Sequence, residues 1–113
     1  MVEYSVARSS DGPSFYVAMG PFFASRDVQK ELGWPFYDDA RFEWILAREH
    51  GEVVGWAALV REPRRVSLEW AYVVPGCRRR GIYREMFQRR LEQAGDVPIR
   101  GMAANPFAQR VYE

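Results

Sequence analysis

Apolar and polar residues alternate over Glu3–Arg8, with Tyr4 and Val6 on one side, which predicts a first strand. Ser9-Ser10-Asp11-Gly12-Pro13 is a turn cluster that ends it. The next periodic stretch, Phe22 to Leu32, places Val28 and Leu32 on one face and predicts a short helix. Ser25 suits its N-cap, and Gly33 falls where a left-handed C-cap wants no Cβ. Trp34-Pro35-Phe36-Tyr37-Asp38-Asp39 cannot prolong that helix, because Pro35 forces the residue before it out of helical geometry. Two strand-like runs, Phe42–Arg48 and Val53–Val60, flank Glu49-His50-Gly51-Glu52 and form a hairpin signal. Glu62-Pro63-Arg64 turns the chain into a third run, Val66–Val74, which Pro75-Gly76 stops. Ile82, Met86, Phe87, Leu91 and Ala94 recur with a period near 3.6, so an amphipathic helix is expected over Ile82–Ala94 with Gly95 as its cap. A short strand, Ile99–Ala103, follows, and Asn105-Pro106 opens a final helix with asparagine as N-cap and proline at the first position.

The order strand, helix, three antiparallel strands, helix, strand, helix predicts an α/β chain of the α+β type. A mixed, mostly antiparallel central sheet would be flanked by helices, in one domain over residues 1–113. An apolar fraction of 48% with 27% charged residues fits a soluble globular protein and excludes disorder. One cysteine, Cys77, and one histidine, His50, supply neither an internal disulfide nor a Cys/His metal site, so no metal and a reducing, cytoplasmic setting are expected. His50 reads as a hairpin-turn surface residue and Cys77, which has no histidine partner in sight, as a bystander.

The net charge of +1 hides an asymmetry. Residues 1–56 hold five basic and nine acidic side chains, residues 57–113 eleven and six, and all basic residues except Lys30 are arginine. The second half should therefore meet something anionic, a phosphorylated cofactor or a nucleic acid. The near-neutral total speaks against nucleic acid.

The chemistry concentrates in Val73-Val74-Pro75-Gly76-Cys77-Arg78-Arg79-Arg80-Gly81-Ile82-Tyr83-Arg84. A strand ends, a loop with three arginines follows, and a helix begins at once. First-turn amides lack helical partners and sit at the positive end of the dipole, so the turn suits an anion, and Gly81 lets the backbone approach it. A pyrophosphate fits better than a single carboxylate.

Arg78-x-x-Gly81 after Val73-Val74-Pro75 resembles the pyrophosphate-binding signature of the GCN5-related N-acetyltransferases (GNAT). The stretch Phe42–Val60 is similar to that family's central hairpin, and Asn105-x-x-Ala108-x-x-x-Tyr112-Glu113 resembles its late helix. The resemblance spans residues 42–113. It implies a small acyltransferase that moves an acetyl group from acetyl-CoA to an amine by direct attack in a ternary complex. The alternative it leaves is a catalytically reduced module that binds CoA or a protein partner without turnover. Under the resemblance the amides of Arg79, Arg80, Gly81, Ile82 and Tyr83, with the Arg78 side chain, would hold the pyrophosphate. The backbone of Ala71, Tyr72 and Val73 would pair with the pantetheine arm, and Asn105 would contact that arm or the acceptor. Tyr112 matches the tyrosine that protonates the leaving thiolate.

Glu69, placed by strict alternation on the face of Ala71 and Val73, is a candidate general base whose pKa a semi-apolar cleft would raise; a solvent-facing strand glutamate is the other reading. Trp34, Phe36 and Tyr37, with Trp44 and the interleaved Asp38, Asp39 and Glu43, form the candidate acceptor region, where aromatic walls and carboxylates suit a cationic amine. Their alternative role is core and solvated rim. Two departures from the family pattern stand out. Tyr83 occupies a position usually held by glycine or alanine, and its ring either crowds the pyrophosphate or points away. The family's two last strands do not follow Glu113, which leads us to expect a bare sheet edge at Ile99–Ala103, either covered by a second copy in a homodimer or belonging to a fragment or reduced form.

Overall fold

The computed structural model describes residues 1–33 and 36–101. Five strands form one sheet in chain order: β1 (Val2–Ala7), β2 (Phe42–Glu49), β3 (Glu52–Arg61), β4 (Val66–Val73) and β5 (Ile99–Gly101). The first four are antiparallel neighbours, and β5 runs parallel to β4. Helices α1 (Pro13–Phe23) and α2 (Arg26–Leu32) precede β2, and α3 (Ile82–Ala94) joins β4 to β5. The mixed, mostly antiparallel sheet flanked by helices is the architecture expected from the chain. The expected continuation of β5 to Ala103 and the helix from Asn105 fall outside the described residues.

The central strands are buried on both faces, so their pattern is nearly continuous rather than alternating. On one face Trp44, Leu46, Trp56, Trp70 and Tyr72 pack under α1 and α2 through Phe15, Met19, Val28 and Leu32. On the other, Ile45, Ala47, Ala57, Ala71 and Val73 pack under Ile82 and Met86 of α3. Helix α3 comes close because β3 carries Gly55 at the crossing, where a Cβ would stand 3.2 Å from the Tyr72 carbonyl oxygen and 3.3 Å from Ile82 Cγ2. The β2–β3 hairpin turns on His50 (φ 53°) and Gly51 (φ 81°), the pair of positive φ values that matches the strand twist.

One expectation needs correction, and the expected turn leads into a helix that the pattern does not predict. The single helix from Phe22 to Leu32 is two helices: Phe22 and Phe23 close α1, and Ser25 caps α2 by accepting from the Val28 amide at 3.3 Å. The Ser9–Pro13 cluster is a 3-10 turn that feeds directly into α1, with Pro13 at the helix start where its missing N–H is no loss. Pro21 sits inside α1 all the same; the residue four positions before it, Val17, is 77% exposed, and water can take the carbonyl that proline cannot serve.

Candidate functional site

Strand β4 ends at Val73, and Pro75–Cys77 forms a 3-10 turn closed by the Cys77 amide on the Val74 carbonyl at 2.8 Å. The chain then passes through two left-handed positions, Arg79 (φ 65°) and Gly81 (φ 82°), and enters α3. Its N-cap residue is Gly81, which has no side chain to accept from the first-turn amides, and the helix offers those amides no carbonyl of its own. Buried Ile82 and Met86 anchor the first two turns against the sheet. Left-handed backbone, an uncapped helix start and open space around Gly81 make a cradle that fits a phosphate group.

The three arginines have different employments. Arg78 donates from Nε to the Val73 carbonyl at 2.8 Å, pairs with Glu31 of α2, and lies 5.3 Å from the Tyr72 ring centre. Burial pulls its pKa down, but the hydrogen bond it donates to Glu31 outweighs that and holds the guanidinium charged. Arg80 makes a two-pronged pair with Glu49 at the end of β2, and that hydrogen bond raises its pKa further. Arg79 is exposed at the apex of the turn. The turn is thus braced from two sides by carboxylates that lie 47 and 31 residues away in sequence, a spacing that carries no local signal.

The Val74 amide donates to Val54 of β3 at 2.8 Å, so by antiparallel alternation the N–H and C=O of Val73 point to the opposite edge of β4. On that edge β5 pairs only with Val66–Leu68, among the described residues. Both outward groups of Val73 are engaged within the turn: its amide donates to the Tyr83 hydroxyl at 3.2 Å, and its carbonyl accepts from Arg78. The Tyr83 side chain therefore reaches back onto β4, an interaction that the sequence alone left open.

Strand β4 carries a bulge. Ala57 stands opposite Ala71 and Leu59 opposite Leu68, so Ala58 alone faces both Glu69 and Trp70. The extra residue exchanges the faces: Ser67 pairs with Val60, a member of the aromatic face, and its hydroxyl donates to Glu69 Oε1 at 2.9 Å. Glu69 thus lies with Ser67 and Trp70, not with Ala71 and Val73 as strict alternation predicts. From α3, buried Arg90 donates to the carbonyls of Ala58 (3.0 Å) and Glu69 (3.1 Å), stitching the bulge from behind. An arginine within a helical apolar stripe was the one available sign of it.

The candidate acceptor region divides. Phe36 is 5% exposed and stacks on Trp56 at 4.7 Å, and Trp44 is fully buried and donates to Asp38 at 2.7 Å. Tyr37 is 55% exposed, edge-on to Trp70 at 5.3 Å, and offers its ring to solvent. Asp39 is bound to Arg41, whose hydrogen bond lowers its pKa. Glu43 is buried among Arg61, Gln93 and Arg8. Burial pushes the Glu43 pKa up, but hydrogen bonds from Arg61 and Gln93 prevail and lower it. Most of these carboxylates are thus committed internally. His50 sits in the hairpin turn, and Cys77 is partly buried against the α3 face. Trp34, Asn105 and Tyr112 lie outside the described residues. No group of three or more His, Cys, Asp or Glu is placed to hold a metal ion, among the described residues.

The family described as acetyltransferase (GNAT) matches residues 10–113. The chain belongs to it. Among solved structures, this GNAT chain is similar to a predicted acetyltransferase with acetyl-CoA from Clostridium acetobutylicum, at 18% identity and TM-score 0.71, covering 99% of this chain and 86% of the other. Escherichia coli ElaA matches at 19% identity and TM-score 0.68, covering 88% and 76%. A ribosomal-protein-alanine N-acetyltransferase from Brucella melitensis biovar Abortus 2308 matches at 16% and TM-score 0.68, covering 99% and 89%. At these identities the GNAT fold is shared. No curated protein matches the chain.

Proposed function

We propose that this GNAT domain transfers an acetyl group from acetyl-CoA to an amine by direct attack of the amine nitrogen on the thioester carbonyl. The observation that carries the reading is the turn at residues 78–81, an uncapped helix start with two left-handed positions, set beside the edge of β4 to which Val73 directs its amide and carbonyl. The amides of Arg79 to Tyr83 would hold the pyrophosphate, and the edge at Ala71–Val73 would receive the pantetheine arm as a strand receives its neighbour. Acetyl-CoA supplies the activated acyl group. Glu69, on the face of Trp70 and half-exposed Tyr37, takes the proton from the attacking amine, directly or through water. Tyr112 returns a proton to the departing sulfur, a role suited to a phenol with an ordinary pKa of about 10. A backbone amide of Ala71–Val73 steadies the oxyanion, and the enzyme's main contribution is to hold two substrates in attack geometry.

A second reading, a module that binds CoA or a protein partner without turnover, draws on the internal engagement of both outward groups of Val73. Calorimetric titration with acetyl-CoA tests the first step, using wild type and the Arg79→Glu/Arg80→Glu variant. Arg78 is left alone because its brace is half-buried and also serves the Val73 carbonyl, whereas Arg79 is exposed and Arg80 braces the turn only through an exposed pair. Saturable binding abolished by charge reversal supports the site, and thiol release across a panel of primary amines then separates transferase from binder. A folded wild-type chain that does not bind acetyl-CoA overturns the reading.

A further inference from the structure

We infer that Tyr83 gates the pantetheine track: its phenol occupies the Val73 amide and must swing out before an acyl-CoA can lie along β4. The inference rests on the acyl-CoA reading of the site. Tyr83 is the second residue of α3, and its hydroxyl accepts from Val73 N at 3.2 Å. The amide it takes is the one that β4 directs away from β3, on the edge where β5 has already stopped pairing. Arg78 serves the carbonyl of the same residue and lies over the Tyr72 ring, so the rung at Val73 is filled from both ends by side chains of the anion turn and the first turn of α3.

The arrangement couples two parts of the site. An extended ligand can gain the Val73 rung only by exchanging the phenol's bond for its own, which subtracts the worth of one neutral hydrogen bond from its affinity. A ligand that engages the turn but does not reach β4 makes no such exchange. Tyr83 therefore discriminates by length, weakening the hold on the pantetheine arm and leaving the nucleotide end untouched. Its ring is partly buried against the α3-face cluster, so removing the hydroxyl alone leaves the packing in place.

The test compares wild type, Tyr83→Phe and Tyr83→Gly. Coenzyme A and adenosine 3′,5′-bisphosphate are titrated by calorimetry, and exchange of the Val73 amide is followed by NMR in the ligand-free chain. Tyr83→Phe should bind coenzyme A about threefold to tenfold more tightly, the range of one neutral hydrogen bond. The bisphosphate should bind both proteins equally, and the Val73 amide should exchange faster in the variant. Tyr83→Gly, which also clears the ring, should bind coenzyme A at least as tightly as Tyr83→Phe. Coenzyme A affinity that is unchanged or reduced in Tyr83→Phe, with wild type binding normally, overturns the gate and leaves the transferase reading standing. Equal tightening for both ligands overturns discrimination by length. Failure of all three folded proteins to bind coenzyme A overturns the acyl-CoA reading and the gate with it.

Discussion

Arg90 stands where an apolar residue would complete the buried stripe of α3, and replacing it with methionine tests what the arginine does there. The side chain is 2% exposed, and one guanidinium nitrogen serves the carbonyls of Ala58 and Glu69 on either side of the β4 bulge. Methionine refills most of the space of the arginine stem, so apolar burial is largely conserved. What Arg90→Met removes is the donor to two buried oxygens. A buried acceptor deprived of its donor is destabilised by roughly 1–3 kcal/mol. Because a single nitrogen serves both, the two losses overlap, and we expect about 2–4 kcal/mol in total. With a urea m-value of about 2 kcal/mol/M, the middle of the range for a small domain, the midpoint should fall by about 1–2 M. Urea unfolding followed by tryptophan fluorescence reads this directly, since Trp44, Trp56 and Trp70 are all in the aromatic face. Arg90→Lys, which keeps one charged donor, should fall between the two. If Arg90→Met loses less than about 0.5 kcal/mol, the bulge is held by the strands themselves, and its stitching from α3 is refuted.

Three further outcomes follow from the same geometry. Glu43→Gln should destabilise the domain most at neutral pH: the folded carboxyl has a lowered pKa, so its contribution is complete above about pH 4.5 and is lost as pH falls through the folded value. Paired urea titrations from pH 7 to pH 3 should show the gap between wild type and variant closing, and a constant gap would contradict the ion cluster. Gly55→Val should destabilise by about 1–3 kcal/mol, because its Cβ already meets Tyr72 and Ile82 within 3.3 Å and the added methyls press on α3; thermal unfolding checks it. Glu49→Gln should leave stability unchanged, since an exposed pair contributes little, yet tighten coenzyme A binding at low salt by releasing Arg80. Calorimetry at two ionic strengths measures this, and unchanged affinity at low salt would show that Arg80 does not face the cofactor.

The parts of this chain legible in its sequence are those whose signals are local. Helix α3 is legible to both its ends, Ile82 and Ala94, because its apolar stripe has a helical period and glycines flank it. The hairpin was legible because His50-Gly51 supplies the two positive φ values its turn demands. Helix α1 is not legible: exposed Tyr16 and Val17 blur the stripe of Phe15, Met19 and Phe22, and Gly20-Pro21 reads as a break. Alternation misplaces Glu69 because it assumes an unbroken register, whereas the bulge in β4 meets an arginine that lies 21 residues further on. In the candidate site, the turn and its glycine could be read from adjacent residues. Glu31, Glu49 and the hydroxyl of Tyr83 could not, because each reaches the turn through tertiary packing.

The sheet's order, in which each strand lies beside its neighbour in the chain, has a kinetic consequence. Among the described strands none must wait for a later one to be inserted between it and its partner, so assembly can proceed outward from the β2–β3 hairpin by successive addition. The longest excursion is the one from Ala7 to Phe42, which encloses α1 and α2. Closing it is the slowest entropic step in joining the strands, so β1 should dock after the β2–β4 meander is in place. Early in folding, β2 then presents an unpaired edge, and the helices that will cover its aromatic face lie in the very loop that has yet to close.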